Sequence, residues 1–180
     1  QATTTNGTTP LWKACQKGHE GVVRLLLSHA ATDVNQARTD NGLSPLWPAC
    51  QNGHEGVVRL LLDHAATDVN PLTDNRLTPL WTACGEGHEG VVRLLLDHAT
   101  TDVNQARTDF GATPLWIACN NGHEGVVRML LGHMAIDVNQ PCVSRITPMN
   151  IACQCNQTKI VKLLLSDSRT YRNRPTNEKH

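Results

Sequence analysis

Four stretches of this chain repeat nearly the same words. Thr78–Asn104 reads TPLWTACGEGHEGVVRLLLDHATTDVN, and close copies occupy Thr9–Asn35, Ser44–Asn70 and Thr113–Asn139. A worn fifth copy opens at Thr147 with TPMNIACQCNQTKIVKLLL. A period near 34 residues fixes the architecture before any local reading does, because each unit buries its apolar face only against its neighbours. The 180 residues are therefore expected to form one elongated solenoid domain.

Each copy parses into two short helices. Thr9 and its counterparts, Ser44 included, stand as N-caps, Pro10 suits the first helical position, and Gly18 closes the helix in a left-handed conformation. Leu11, Ala14 and Cys15 follow helical spacing inward, and the small Ala and Cys let a second helix approach. That helix runs from about Glu20 to Ser28, with Val22, Val23, Leu26 and Leu27 as its buried stripe. Its outer face predicts ion pairs Glu20–Arg24, Glu55–Arg59, Glu89–Arg93 and Glu124–Arg128. Gly21, Gly56, Gly90 and Gly125 weaken these helices without a local reason; close approach of the neighbouring repeat is the expected cause. The turn-rich linkers after each DVN read as hairpins, with the tryptophan column spaced 35, 34, 35 and 34 residues apart. The long linkers carry Gly42 and Gly111 where the short ones carry Arg76 and Arg145, so two turn types are expected, positive φ being open to Gly and resisted by Arg.

Composition narrows the function. Sixteen basic and sixteen acidic residues cancel, which advertises neither nucleic acid nor a membrane surface. The balance is uneven: residues 159–180 carry six basic against two acidic residues, +4, and the body ten against fourteen, −4. The basic end reads as a solvated cap. No apolar run reaches the ~18 residues of a membrane helix, and no signal-like stretch precedes Thr9. A chain starting at Gln1 reads as an excerpt or a processed form. Cys15, Cys50, Cys84, Cys119 and Cys153 share one repeat position, where helices ~8–10 Å apart hold Cα atoms too far apart for disulfides. They are expected to be buried free thiols in a reducing, cytoplasmic compartment, with Cys142 or Cys155 more reactive. No metal site is expected at those last two.

Catalysis finds no footing. HEGVV lacks the second His at i+4 of a zinc protease, and no Ser–His–Asp set, phosphate loop or carboxylate cluster stands out. The chain is therefore expected not to be an enzyme, with no catalytic residue, no metal and no cofactor. His29, His64, His98 and His133 end the second helices, where a cation suits the dipole. Trp12, Trp47, Trp81 and Trp116 are either a ligand-stacking ladder or indoles packed between successive repeats with each N–H on a partner; their identity from copy to copy favours packing. The sequons at Asn6 and Asn156 are idle in a cytosolic chain.

The repeated words TPL, A, GH, VV, LLL and DVN resemble the ankyrin repeat over residues 5 to about 173. Two departures stand out: TPLH reads TPLW, and the Gly before DVN is replaced by a run such as His29-Ala30-Ala31-Thr32, one residue longer. The resemblance implies an all-α ankyrin-repeat solenoid of five helix–turn–helix repeats linked by protruding β-hairpin loops. The repeats would be 5–39, 40–73, 74–108, 109–142 and 143–173, followed by a frayed basic tail at 174–180. It makes His19, His54, His88 and His123 hydrogen-bonding linkers between helices. It also makes Asn35, Asn70, Asn104 and Asn139 candidates for the oxygen-sensing asparaginyl hydroxylase, against a plain reading as turn asparagines.

Positions that vary among the copies are free to recognise something, and in ankyrin proteins they line the concave groove. The expected partner-binding residues are Leu43, Gln51, Asn52, Leu77, Thr82, Glu86, Phe110, Ile117, Asn120 and Asn121. An apolar strip (Leu43, Leu77, Ile117, Ile146) beside a row of amides (Gln51, Asn52, Asn120, Asn121) suits an extended peptide or loop. Phe110, the only Phe, stands at a hairpin tip where sister copies have Asn41 and Asn75, and reads as an exposed aromatic anchor. The function expected is a monomeric, non-catalytic scaffold for a protein or peptide partner. The alternative is a substrate-recruiting module excerpted from a larger enzyme or effector protein.

Overall fold

The computed structural model describes residues 5–71, 73 and 77–170. Over them the chain forms helices in five pairs: α1 (Pro10–Lys17) with α2 (Glu20–Leu27), α3 (Leu46–Gln51) with α4 (Glu55–Leu62), α5 (Pro79–Glu86) with α6 (Glu89–Leu96), α7 (Pro114–Asn121) with α8 (Glu124–Gly132), and α9 (Pro148–Gln154) with α10 (Thr158–Ser166). The first helices of each pair pack on one another in one rank and the second helices in another. Hairpin tip Asn75, the turn residue Arg76 and the basic tail lie outside the described residues.

Local chemistry sets each start and stop. Thr9, Thr78, Thr113 and Thr147 accept the amide three residues on, with Pro following at the first turn. Gly18, Gly87 and Gly122 close their helices at φ 71°, 79° and 80°. The second copy departs: Ser44 is no cap, and α3 is two residues shorter than α1, α5 and α7. Pro48 stands where the other copies supply the N–H that reaches the cap residue's carbonyl, as Lys13 does to Thr9 O at 3.1 Å. The Trp47 amide instead donates to Ser44 O at 3.1 Å, a tighter turn that leaves the buried Ser44 hydroxyl without a partner among the described residues.

The core is continuous along the stack. Leu46, Leu80, Leu115, Val58, Val92 and Val127 are all but sealed from water. Val57 and Leu61 follow the expected stripe, whereas Val22 is 47% exposed on a face of the first repeat that no other helix covers. The cysteine column holds at Cys15, Cys50, Cys84 and Cys119 but fails at Cys153, which is exposed because no helix among the described residues packs beyond α9. Cys142, expected to be reactive, is buried beside its own turn. In the native protein Cys153 and Cys155 should therefore react with a thiol reagent well before the other five. A titration that modified all seven at one rate would contradict this packing.

Three devices join the first four repeats, and the last of them extends to the fifth. His54, His88 and His123 place Nε2 at 3.1, 3.0 and 2.8 Å from Gln16 O, Gln51 O and Gly85 O of the preceding first helix. The glycines inside the second helices accommodate the preceding repeat's glutamate: a Cβ on Gly56, Gly90 or Gly125 would stand 1.9, 1.8 or 1.8 Å from the carboxylate of Glu20, Glu55 or Glu89. This corrects the predicted ion pairs. Glu20, Glu55 and Glu89 turn toward the next repeat, and of the four pairs Glu124–Arg128 alone forms, at 3.0 Å, among the described residues. There the following copy has Lys159 in place of glycine, and its ammonium lies 3.6 Å from Glu124.

The third device is the asparagine after each DV. Asn35 Nδ2 donates to Ala66 O at 2.6 Å while its Oδ1 accepts the Asp68 amide at 2.8 Å. Asn70 and Asn104 clamp Thr100–Asp102 and Ala135–Asp137 in the same way, and Asn139 Nδ2 reaches Arg169 O at 2.9 Å. Each is held by the preceding Asp, whose carboxylate accepts its amide. The turn reading thus understates these residues; they are side-chain bridges between repeats.

Two further expectations change. The linkers show no strand among the described residues; they reverse through pairs of backbone bonds such as Arg38 N–H to Leu43 O and Gly42 N–H to Arg38 O. Arg145 takes φ 60°, so positive φ is common to both linker lengths; they differ instead in the closing bond, Gly111 to Arg107 O four residues back and Arg145 to Cys142 O three back. After the second helices, His29, His64 and His133 each take the backbone N–H two residues on at Nδ1, at 3.3–3.4 Å, so these rings fold back over their own turns.

Candidate functional site

The tryptophans build the wall between first helices. Trp12, Trp81 and Trp116 send Nε1–H to Leu43 O, Ala112 O and Ile146 O of the next linker at 3.2, 3.0 and 3.0 Å. Arg38 and Arg107 lay their guanidinium groups 4.9 Å from the Trp12 and Trp81 ring centroids, and each is anchored by a carboxylate two residues on, Asp40 and Asp109. Burial pushes the Asp109 carboxyl up, but the Arg107 hydrogen bond, the Phe110 amide and the Arg107 charge outweigh it and hold the group below its ordinary value. The packing reading of the column therefore holds, with one break: Trp47 Nε1 is buried and has no partner among the described residues.

Phe110 is not the exposed anchor expected from its place in the sequence. Its ring sits edge-on to Trp81 at 6.5 Å and Trp116 at 6.2 Å, with Arg107 over it at 4.9 Å. It bridges two tryptophans that the stack leaves half-covered. Edge-to-face pairs are worth about 0.5–1.5 kcal/mol each beyond burial. Phe110→Asn, the residue at the sister tip Asn41, should destabilise by about 1–3 kcal/mol in chemical denaturation; an unchanged midpoint would return the ring to solvent.

The other predicted residues divide. Leu43 is buried beneath Trp12, so the apolar strip loses its first member. Asn52 donates to Pro48 O of its own helix at 2.7 Å. Asn120 donates to Asn121, and Asn121 to Gly85 O, both at 2.7 Å. Three of the four amides are thus engaged in hydrogen bonds, Asn121 across the repeat interface, and among the described residues Gln51 is the one of the row whose side chain has none.

Gln51, Leu77, Thr82, Glu86, Ile117 and Asn121, six of the ten predicted residues, come together with Trp47, Trp81, Gly85 and Arg107 around a hollow of about 210 Å³ on the first-helix side. Thr82 lies at its base, 4% exposed, with a hydroxyl that has no partner among the described residues. Gly85 makes the room: the same register holds Gln16, Gln51, Asn120 and Gln154 in the other copies. That substitution is the signal in the sequence, a glycine among glutamines and an asparagine, and it becomes informative only beside the residues that surround it. A second hollow, about 300 Å³, lies among α6 and α8 at Arg93, Leu96, Asp97, Met129, Gly132 and His133. Its signal is also a departure from the copies, Met129 and Gly132 replacing Leu and a Ser or Asp.

Among the described residues no group of His, Cys, Asp and Glu could hold a metal ion, and no helix is long and apolar enough to cross a membrane. No curated protein matches the chain. A family model described as ankyrin repeats in three copies matches residues 1–72, 31–107, 65–142 and 100–174. The matches overlap from end to end of the stacked helix pairs, whose threonine caps, bridging histidines and two ranks of helices are those of a repeat array. The chain belongs to the ankyrin repeat family.

Proposed function

We propose that this protein is a non-catalytic interaction scaffold that holds an extended peptide or loop of a partner protein along its first-helix side, centred on the hollow around Gly85. Repeats of this family are in general protein-interaction modules. The observation that carries the reading is the hollow itself: a helical glycine opens it, and six residues chosen for their variation among the copies line it. Its walls are apolar at Leu77, Trp81 and Ile117, and its rim is polar at Gln51 and Glu86, the composition of a ligand-receiving cleft. The scaffold works as a monomer in the cytoplasm, without cofactor, metal, nucleic acid or membrane. Hydroxylation of Asn35, Asn70, Asn104 or Asn139 would have to reach a side chain bonded across a repeat interface, so it belongs to an opened clamp.

The test uses Gly85→Gln, which writes the sister residue into the register. Its Cβ would meet Ile117 Cγ1 at 3.3 Å, a contact that a shift of a few tenths of an ångström relieves, and the helix gains from losing a glycine. Peptides selected from a random display library against the native chain should bind Gly85→Gln at least tenfold more weakly, while its melting temperature stays level or rises. Equal affinity for both proteins would reject the hollow as the binding centre.

A further inference from the structure

We infer that the hollow receives an arginine or lysine side chain of the bound segment, its aliphatic stem lying on Leu77 and Ile117 across Gly85 and its charged head meeting Glu86. The inference rests on the groove reading above and adds the chemistry of the occupant.

Gly85 is the starting point. It lies inside α5 without the positive φ that would require glycine, so the conformation gives no reason for its presence. A Cβ there would stand 3.3 Å from Ile117 Cγ1 and 3.9 Å from Trp81 Cζ3 and Asn121 Nδ2, so Ile117 leans into the place of the missing side chain while Gly85 itself lines the open hollow. The charge around that space is one-sided. Arg107 is neutralised by Asp109, and the Asn121 amide is held by Gly85 O. Among the lining residues, the charged side chain left without a partner is Glu86, exposed at the rim where the sister copies carry Lys17, Asn52, Asn121 and Cys155.

A long basic side chain fits both halves of this arrangement, because its stem is apolar and its head is a cation. The neighbouring ring already accepts a guanidinium, as Arg107 over Trp81 shows, and Trp47 supplies a second indole to the wall. An aliphatic occupant would fill the space but desolvate the Glu86 carboxylate without pairing it, and an acidic one would repel it.

The experiment titrates the full chain, uniformly labelled with nitrogen-15, with capped pentapeptides Ala-Ala-X-Ala-Ala in which X is Arg, Leu or Glu. The Arg peptide should move the amide signals of Gly85, Glu86 and Ile117 and the Trp81 indole signal, binding at least fivefold more tightly than the Leu peptide, with the Glu peptide weakest. Glu86→Gln should bring Arg down to the level of Leu, and Gly85→Gln should abolish both. Leu binding as well as Arg at the same signals, or an Arg preference that survives Glu86→Gln, would overturn the basic side chain and leave the groove standing. Signals that move only elsewhere, or not at all with any peptide, would overturn the groove with it.

Discussion

Trp81→Ala should destabilise the protein by about 3 kcal/mol, the low end of the loss for truncating a core aromatic, because the stack leaves this indole half-covered. The indole stands between the third and fourth repeats, donates to Ala112 O at 3.0 Å, carries Arg107 on its face and meets Phe110 at its edge. Truncation removes the packing surface, leaves a linker carbonyl without its donor and frees the guanidinium. Because a repeat array is stabilised by nearest-neighbour interfaces, the effect should appear first as loss of coupling between repeats three and four. Chemical denaturation measures it. A loss below about 1 kcal/mol with an intact fold would mean that the indole contributes little to the interface.

The second large effect is alkaline unfolding. Burial pushes the Cys15 and Cys119 thiols up to about 12 from an ordinary 9.0, and burial, with the neighbouring thiol of the column adding to it, pushes Cys50 and Cys84 higher still. The unfolded chain therefore releases these protons first. A group whose folded value is raised contributes stability that is fully present below the unfolded value and is lost as pH climbs from there toward the folded one. Each thiol then lowers stability by about 1.4 kcal/mol per pH unit above 9, so four together approach a slope on the order of 5 kcal/mol per unit. Denaturation midpoints measured from pH 8 to pH 10 should fall steeply, and Cys50→Ala should flatten the fall by roughly a quarter. A level profile over that range would contradict the sealed column.

What the sequence made legible follows from where the physics is local. The period near 34, the threonine caps, the closing glycines and the inward Leu, Ala and Cys are each decided within one repeat, and the structure shows them nearly as expected. The exceptions depend on a neighbour. Glu20, Glu55 and Glu89 satisfy the spacing rule for an ion pair along their own helices, yet the glycine of the next repeat leaves room for the carboxylate to cross over. Phe110 looked exposed because its two aromatic partners, Trp81 and Trp116, belong to the first helices of different repeats. Cys153 matches its column in sequence and is exposed because no further helix pair covers it among the described residues.

The site was half legible for the same reason. Variation among the copies chose ten residues, and six of them meet around one hollow. It could not say which variable amides would turn inward, as Asn121 does to Gly85 O, nor that a linker would bury Leu43. It also passed over Gly85, because an absent side chain becomes informative only when its surroundings are known.

Amide hydrogen exchange of the full chain, bare and saturated with a peptide selected from a random library, tests the central claim most directly. The account predicts slowed exchange concentrated on Gln51, Leu77, Thr82, Gly85, Glu86, Ile117 and Asn121, with the second helices around Arg93 and His133 unaffected. Protection centred on those second helices, or spread evenly over the stack without a focus at Gly85, would contradict it.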